Sequence, residues 1–298
     1  MQKVLVICGP TCVGKSSFAR FLAKELNGEL INGDSMQVYQ EMKIGTAKES
    51  EKEMKEIPHH LFDIKTIKES FSVAEFQRLL RKKIDEIEGR NHLPIIVGGT
   101  GLYLKAGLYD YEFLEKGDTD LGLNQKSTKE LYDILNDIDA ETAKEIHPNN
   151  RKRIIRAIEL FYETEIGKSG LNKKQKHEPI YDVIYIGLTR EREQLYKLIN
   201  ERVEEMFNKG LEEEARYIIA TASKDSTALQ AIGYKEFIDC DDTELIKENI
   251  KRNTRRFAKR QYTWFNNQMK VRWVDVENKT NEGIYDEIKE ELGEWLNG

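Results

Sequence analysis

The feature that most constrains this chain is a short apolar strand that runs straight into a glycine-rich turn and then a helix. Lys3-Val4-Leu5-Val6-Ile7-Cys8 is followed by Gly9-Pro10-Thr11-Cys12-Val13-Gly14-Lys15-Ser16, and helical periodicity continues to about Leu26. The turn fits the spacing G-x-x-x-x-G-K-[S/T]. Its glycines let successive backbone N–H groups face phosphate oxygens, Lys15 adds a cation, and the Ser16 hydroxyl suits magnesium. A plain glycine-rich turn is the alternative, and the flanking strand and helix weigh against it.

Further segments extend the pattern. Glu29–Asn32 reads as a second strand ending at Asp34. Ser72 to Glu88 has helical periodicity, with Ser72 and Glu75 spaced as a capping box. Pro94–Val97 is a third strand, stopped by Gly98-Gly99, and Tyr181–Leu188 returns to the sheet. Strands alternating with helices imply parallel pairing, so the expected fold is α/β: a parallel sheet of the P-loop NTPase type flanked by helices. The pattern breaks between Tyr109 and Leu123, helical periodicity resumes near Thr128 and from Asn150, and Gly167–Pro179 reads as a polar linker. Residues 1–117 and 179–298 are therefore expected to form the core, with 118–178 a smaller inserted helical domain. After Leu188 the chain reads as largely helical.

No run of about 18 uncharged apolar residues is present, so no membrane span is expected. The N-terminal strand lacks the cleavage site of a signal peptide. Three cysteines, Cys8, Cys12 and Cys240, form no disulfide or zinc pattern, and a reducing cytoplasmic setting is the expectation. The net charge of −6 argues against nucleic acid on average, but charge is segregated. Lys247, Lys251, Arg252, Arg255, Arg256, Lys259 and Arg260 face a single intervening acid, Glu248, and Arg151, Lys152, Arg153 and Arg156 form a second cluster. Phosphate backbones respond to local potential. At four-residue spacing the first cluster makes two basic helical stripes, either a phosphate track or a solvated face. The aromatics beside it, Phe257, Tyr262, Trp264 and Phe265, are read as core packing rather than base stacking. His59-His60 lacks the neighbours a metal site needs.

A phosphate loop alone also suits a kinase or NTPase acting on a nucleotide or small molecule. Those families place a magnesium-holding acid at a later strand end, whereas here the third strand ends Val97-Gly98-Gly99-Thr100. The acid follows the second strand instead, as Asp34 at the carboxyl edge of the sheet, where such folds bind ligands. A helix cap or turn is the plain alternative for that residue.

Across nearly the whole chain the residues resemble the tRNA dimethylallyltransferase (isopentenyltransferase) family. The resemblance is carried by Gly9–Ser16, Asp34-Ser35-Met36-Gln37-Val38-Tyr39, Ile44-Gly45-Thr46-Ala47-Lys48 and Pro58-His59-His60-Leu61. It continues through Gly98–Tyr103, Ile146-His147-Pro148-Asn149 with Arg153 and Arg156-Ala157, Gln230–Tyr234 and Lys259–Trp264.

That resemblance implies transfer of a dimethylallyl group from its diphosphate to the N6 amine of the adenosine 3′-adjacent to the anticodon, with release of diphosphate. It makes Asp34 the general base, Arg202 a second cation on the diphosphate, and Thr100 a contact to the substrate adenosine. Arg202 on a Glu-rich helix could equally form a surface ion pair, and Thr100 could be simple turn chemistry. Gly9, Pro10, Thr11, Cys12, Val13, Gly14, Lys15 and Ser16 would hold the diphosphate, with Mg2+ at Ser16; binding of ATP by the same loop is part of the expectation. The target base would be flipped out of its stack. RNA contacts fall on Asp34, Ser35, Met36, Gln37 and Thr100, on Arg151, Arg153 and Arg156, on Gln230, Gly233 and Tyr234, and on Lys259, Arg260, Gln261, Thr263 and Trp264. Expected partners are the tRNA anticodon stem-loop and dimethylallyl diphosphate, with the chain a monomer. One departure stands out: between Tyr111 and Asp139 the chain looks shortened, and the family's RNA-contacting arginine is not evident in Asp118–Leu123. The chain also stops at Gly298 without the zinc finger of some eukaryotic relatives, and so looks bacterial in type.

Overall fold

The computed structural model describes residues 1–113, 122–164, 166–174, 178–223 and 226–298. Six strands make one sheet: β1 (Lys3–Cys8), β2 (Gly28–Asn32), β3 (His59–His60), β4 (Leu93–Val97), β5 (Asp182–Thr189) and β6 (Arg272–Asp275). Their spatial order is β3-β2-β4-β1-β5-β6, and every pairing is parallel. β1 lies inside, with Leu5 level with Ile95 on one side and Ile184 on the other.

A central parallel strand is buried on both faces, which is why β1 is apolar throughout rather than alternating. Val4, Val6 and Cys8 pack with Phe76, Leu80 and Ile84 of the helix Val73–Glu88. Leu5 and Ile7 turn the other way, onto Phe18 and Leu22 of the helix Lys15–Glu25. The two-residue period of the strand thus assigns its side chains to two cores. Because all strands run the same way, the turns after β1, β2 and β4 emerge at one edge, and the sequence-derived site residues sit in them.

Two strands escape the sequence reading. β3 is only His59 and His60, too short to show periodicity. β6, read as part of a helical tail, buries only Val274 of its four residues, so no apolar run announces it. Its register against Ile186–Thr189 is set by tertiary pairing.

The chain divides into two compact units, Met1–Tyr109 with Pro179–Gly298, and Asp110–Glu178. The first unit ends at Tyr109, ahead of the expected 117, where Tyr109 bridges Pro179 antiparallel. The expected boundary at 118, and positions 118–121 of the stretch said to lack an arginine, lie outside the described residues. The second unit has its own core of Leu131, Leu135, Ile154, Ala157 and Ile158. These come from the helices Thr128–Ile138 and Arg151–Thr164. Where a linker was expected, Gly167–Lys174 is helical. Its Ser169 N–H donates to Asp139 Oδ2 at 3.1 Å, while Asp139 Oδ1 caps the helix Ala140–Glu145 through Thr142 N–H at 3.0 Å. A cap supplied from thirty positions away leaves no trace in local periodicity.

Candidate active site

The phosphate loop wraps the start of the helix Lys15–Glu25. Gly14 occupies the cap position at φ 104°, a left-handed conformation that a side chain resists, and Cys12 is also left-handed at φ 65°. Alternation of this kind turns amides toward a common centre, the arrangement that binds anions. Lys15 Nζ folds back to donate to Pro10 O at 2.7 Å. Burial disfavours its charge and lowers its pKa to about 8, against the opposing pull of the Asp34 carboxylate.

Asp34 is held by its own strand end. The amide of Asn32, fully buried, accepts from Asp34 N–H at 2.8 Å and donates to Asp34 O at 2.9 Å and Leu61 O at 3.0 Å. Asp34 Oδ1 accepts from Met36 N–H at 2.8 Å, closing an Asx turn. Thr100 Oγ1 accepts from Ser35 N–H at 3.2 Å and donates to Ser35 Oγ at 3.5 Å. The turns after β2 and β4 are therefore stitched together beside the carboxylate. Across the loop, Arg202 of the helix Arg192–Asn208 donates from Nη1 to Thr11 Oγ1 and Cys12 Sγ, each at 3.3 Å. Among the described residues it has no ion-pair partner, and it lies close enough to Lys15 to lower the pKa of that lysine.

Two cavities meet here. The larger, about 830 Å³, contains Gly14, Lys15 and Ser16. The smaller, about 260 Å³, contains Ser35, Met36, Thr100, Gln230, Gly233 and Arg260. Asp34, Arg202, Met206 and Phe257 line both. Phe257, read from sequence as packing, thus faces the cleft. Gln37 lines the larger cavity and donates to Thr46 O at 3.1 Å.

Several sequence-derived RNA residues lie in the interior. Tyr234 is fully buried and donates from its hydroxyl to Glu214 Oε1 at 2.7 Å. Gln261, only 5% exposed, is hydrogen-bonded to backbone at both ends of its amide. Trp264 packs over Gly101 and edge-on against Phe265. Lys259, Arg260 and Thr263 are exposed on the same helix, Thr243–Gln268. In the second unit, Arg151 donates to the carbonyls of Lys126, Leu123 and Asn124, and Arg156 pairs with Glu159 and Glu163. Arg153 is exposed.

The basic helix is less uniform than its sequence. Lys251 pairs with Glu204 at 2.6 Å and Glu248 at 2.9 Å, and Lys247 with Glu204 and Glu244 at 3.6 and 3.0 Å. The balancing acid Glu204 comes from another helix, so it is invisible in the local run. Among the described residues no ion pair is recorded for Arg256, Lys259 or Arg260.

Two supporting residues went unread. Asn32 carried the signal of a short polar side chain at a strand end. Glu214 carried none: it sits in the run Glu212-Glu213-Glu214, yet accepts from the N–H groups of Lys43, Ile44 and Gly45 at 3.1, 2.9 and 3.0 Å. It thereby shapes the loop that reaches both cavities at Thr46. His59 and His60 bond to Glu49 and Glu29, and among the described residues no group of three His, Cys, Asp or Glu could hold a metal.

The comparisons with known proteins agree with this arrangement. The family model described as IPP transferase matches residues 37–268. A tRNA dimethylallyltransferase of Anoxybacillus flavithermus is 48% identical, over 100% of this chain and 97% of the relative. One from Bacillus licheniformis is 44% identical, over 99% of this chain and 96% of the relative. A solved tRNA delta(2)-isopentenylpyrophosphate transferase from Staphylococcus epidermidis gives a TM-score of 0.74 at 41% identity, covering 99% of this chain and 100% of that one. A eukaryotic dimethylallyltransferase acting on tRNA gives 0.86 at 27% identity, covering 99% of this chain and 80% of that one. With a phosphate loop, a facing arginine and a carboxylate at one sheet edge, and relatives matched over nearly its full length, this chain belongs to the IPP transferase family.

Proposed function

We propose that the protein transfers a dimethylallyl group from dimethylallyl diphosphate to the N6 amine of the adenosine 3′-adjacent to the anticodon of tRNA. The observation that carries this reading is that Asp34 and Arg202 line both cavities, one with the phosphate loop at its floor and the other beside Thr100. A diphosphate in the first and a flipped purine in the second would meet between these two side chains.

The exocyclic amine is a poor nucleophile because its lone pair is delocalised into the ring. In the proposed step the N6 lone pair forms a bond to the allylic C1, the C1–O bond to diphosphate breaks, and Asp34 accepts the N6 proton. Negative charge grows on the departing diphosphate, where the loop amides, Lys15 and Arg202 stabilise it. No all-protein metal cage exists among the described residues, but a hydroxyl beside bound phosphates is the sparse donor set magnesium accepts. Ser16, which lines the larger cavity, would hold it. The ion would neutralise phosphate charge.

Exposed Arg256, Lys259, Arg260 and Thr263, with Arg153 of the second unit, suit contacts to the RNA backbone. Buried Gln261 serves by holding backbone, and buried Tyr234 by holding the Glu214 carboxylate, rather than by touching RNA. The protein is expected to work in the cytoplasm as a monomer, and among the described residues no helix is long and apolar enough to cross a membrane. The test is incubation with unmodified tRNA, magnesium and labelled dimethylallyl diphosphate. Label on the adenosine next to the anticodon is expected; a reaction that leaves the RNA unlabelled while the chain hydrolyses ATP would replace this reading with that of an NTPase.

A further inference from the structure

The helix Thr243–Gln268 sends one polar side chain into the interior between the two halves of the site. Gln261 Oε1 accepts from Thr11 N–H in the phosphate loop at 3.0 Å, and its Nε2 donates to Gly99 O in the turn after β4 at 3.1 Å. The side chain is 5% exposed, and both ends of its amide have a backbone partner. Gly99 leaves room for this approach, since a Cβ there would collide with the amide nitrogen. The next residue is Thr100, whose hydroxyl holds Ser35 beside Asp34.

We propose that Gln261 is a positioning residue that fixes the phosphate loop against the turn carrying Thr100, so that the loop amides are preorganised for diphosphate. This deepens the proposed prenyl-transfer reading and rests on it for the identity of the second substrate. The physical requirement is specific. One end of the side chain must accept and the other must donate, at opposite sides of a planar group, and among neutral side chains of this length only glutamine does both. The same amide commits the half-buried Thr11 N–H and the buried Gly99 O, the second of which would otherwise lose its hydrogen-bond partner in the interior. Without the bridge, the loop amides would be ordered only at the moment of binding, and affinity falls by that ordering cost.

The experiment is calorimetric titration of the full chain with inorganic diphosphate and magnesium, a readout independent of prenyl transfer. Gln261→Met keeps the volume and removes both hydrogen bonds; diphosphate affinity is expected to fall about tenfold, as for one to two lost hydrogen bonds. Gln261→Glu supplies its own control should the first variant fold poorly. Protonated, its carboxyl accepts from Thr11 N–H and donates to Gly99 O; ionised, it can only accept and it repels both Gly99 O and the ligand. Measured against the native chain at each pH, its deficit in diphosphate affinity is expected to close between pH 8 and pH 5. Relief of charge repulsion alone would also narrow this deficit, so the deciding comparison is at pH 5, where the neutral carboxyl of Gln261→Glu restores the bridge and is expected to bind diphosphate about tenfold more tightly than Gln261→Met. A fall of less than threefold in Gln261→Met, or a Gln261→Glu affinity at pH 5 no better than that of Gln261→Met, overturns the proposal. Native chain that binds diphosphate but never labels RNA would sink prenyl transfer alone and leave this assignment standing.

Discussion

Arg202 Nη1 lies 3.3 Å from Thr11 Oγ1, so a guanidinium from the helix Arg192–Asn208 rests on the phosphate loop alongside the loop's own lysine. Arg202 repels Lys15 and adds to the burial that disfavours the lysine's charge. A diphosphate leaving group would relieve that repulsion and be gripped from two sides.

Removing this grip should act on the leaving group and spare the RNA. Arg202→Ala is expected to lower kcat/KM for dimethylallyl diphosphate by roughly 100-fold or more, the scale of losing one preorganised stabiliser of developing charge. Affinity for tRNA should stay within about twofold. Steady-state kinetics paired with filter binding checks both.

Asp34→Asn keeps the acceptor for Met36 N–H, so the turn should survive while the base is lost. Turnover is expected to fall by roughly 10²- to 10⁴-fold, the usual contribution of a positioned base. Equal retention of diphosphate and tRNA binding is expected; single-turnover rates separate the two effects.

Lys15 gives a pH signature. Its free-state pKa near 8 means that the ammonium is fully charged below that value and deprotonates as pH rises through it. Bound diphosphate stabilises the charged form and raises the pKa. Affinity for diphosphate should therefore be greatest below pH 8 and decline above it, with protons taken up on binding near pH 8.5. Titrations in buffers of different ionisation enthalpy read that uptake, and Lys15→Met should abolish it.

The basic helix should divide by partner rather than by sequence. Lys259 and Arg260, exposed and without an ion pair among the described residues, should each reduce the slope of log affinity against log salt by about one when changed to Gln. Lys251, already paired with Glu204 and Glu248, should reduce it far less. Salt titrations of tRNA binding distinguish the two groups.

Glu29 anchors the far end of β2. Burial would raise its pKa, but hydrogen bonds from Arg90, His60 and His92 outweigh that and hold it at about 2. A carboxylate depressed in the folded state adds stability above the unfolded value near 4.5, and that stability is lost as pH falls toward 2. Glu29→Gln should cost about 2 kcal/mol at pH 7 and flatten the pH dependence between those limits. Denaturant melts at several pH values measure it.

The sequence by itself determined the parts of this protein whose physics is local. An apolar strand with no polar alternation could only be a buried parallel strand, and the loop Gly9–Ser16 between it and a helix could hardly be other than an anion cradle. Asp34 was legible because a strand end places a side chain at the sheet edge. What only the tertiary structure decided lies at long separation along the chain. Glu204 neutralises Lys247 and Lys251 from another helix, Glu214 caps the amides of Lys43, Ile44 and Gly45, and Gln261 joins Thr11 to Gly99. β6 pairs with β5 without any apolar run of its own. Hydrogen bonds and ion pairs of this kind depend on distance in space rather than period in sequence, so a helix that reads as one basic surface resolves into a neutralised end, an exposed end and a buried amide at the site.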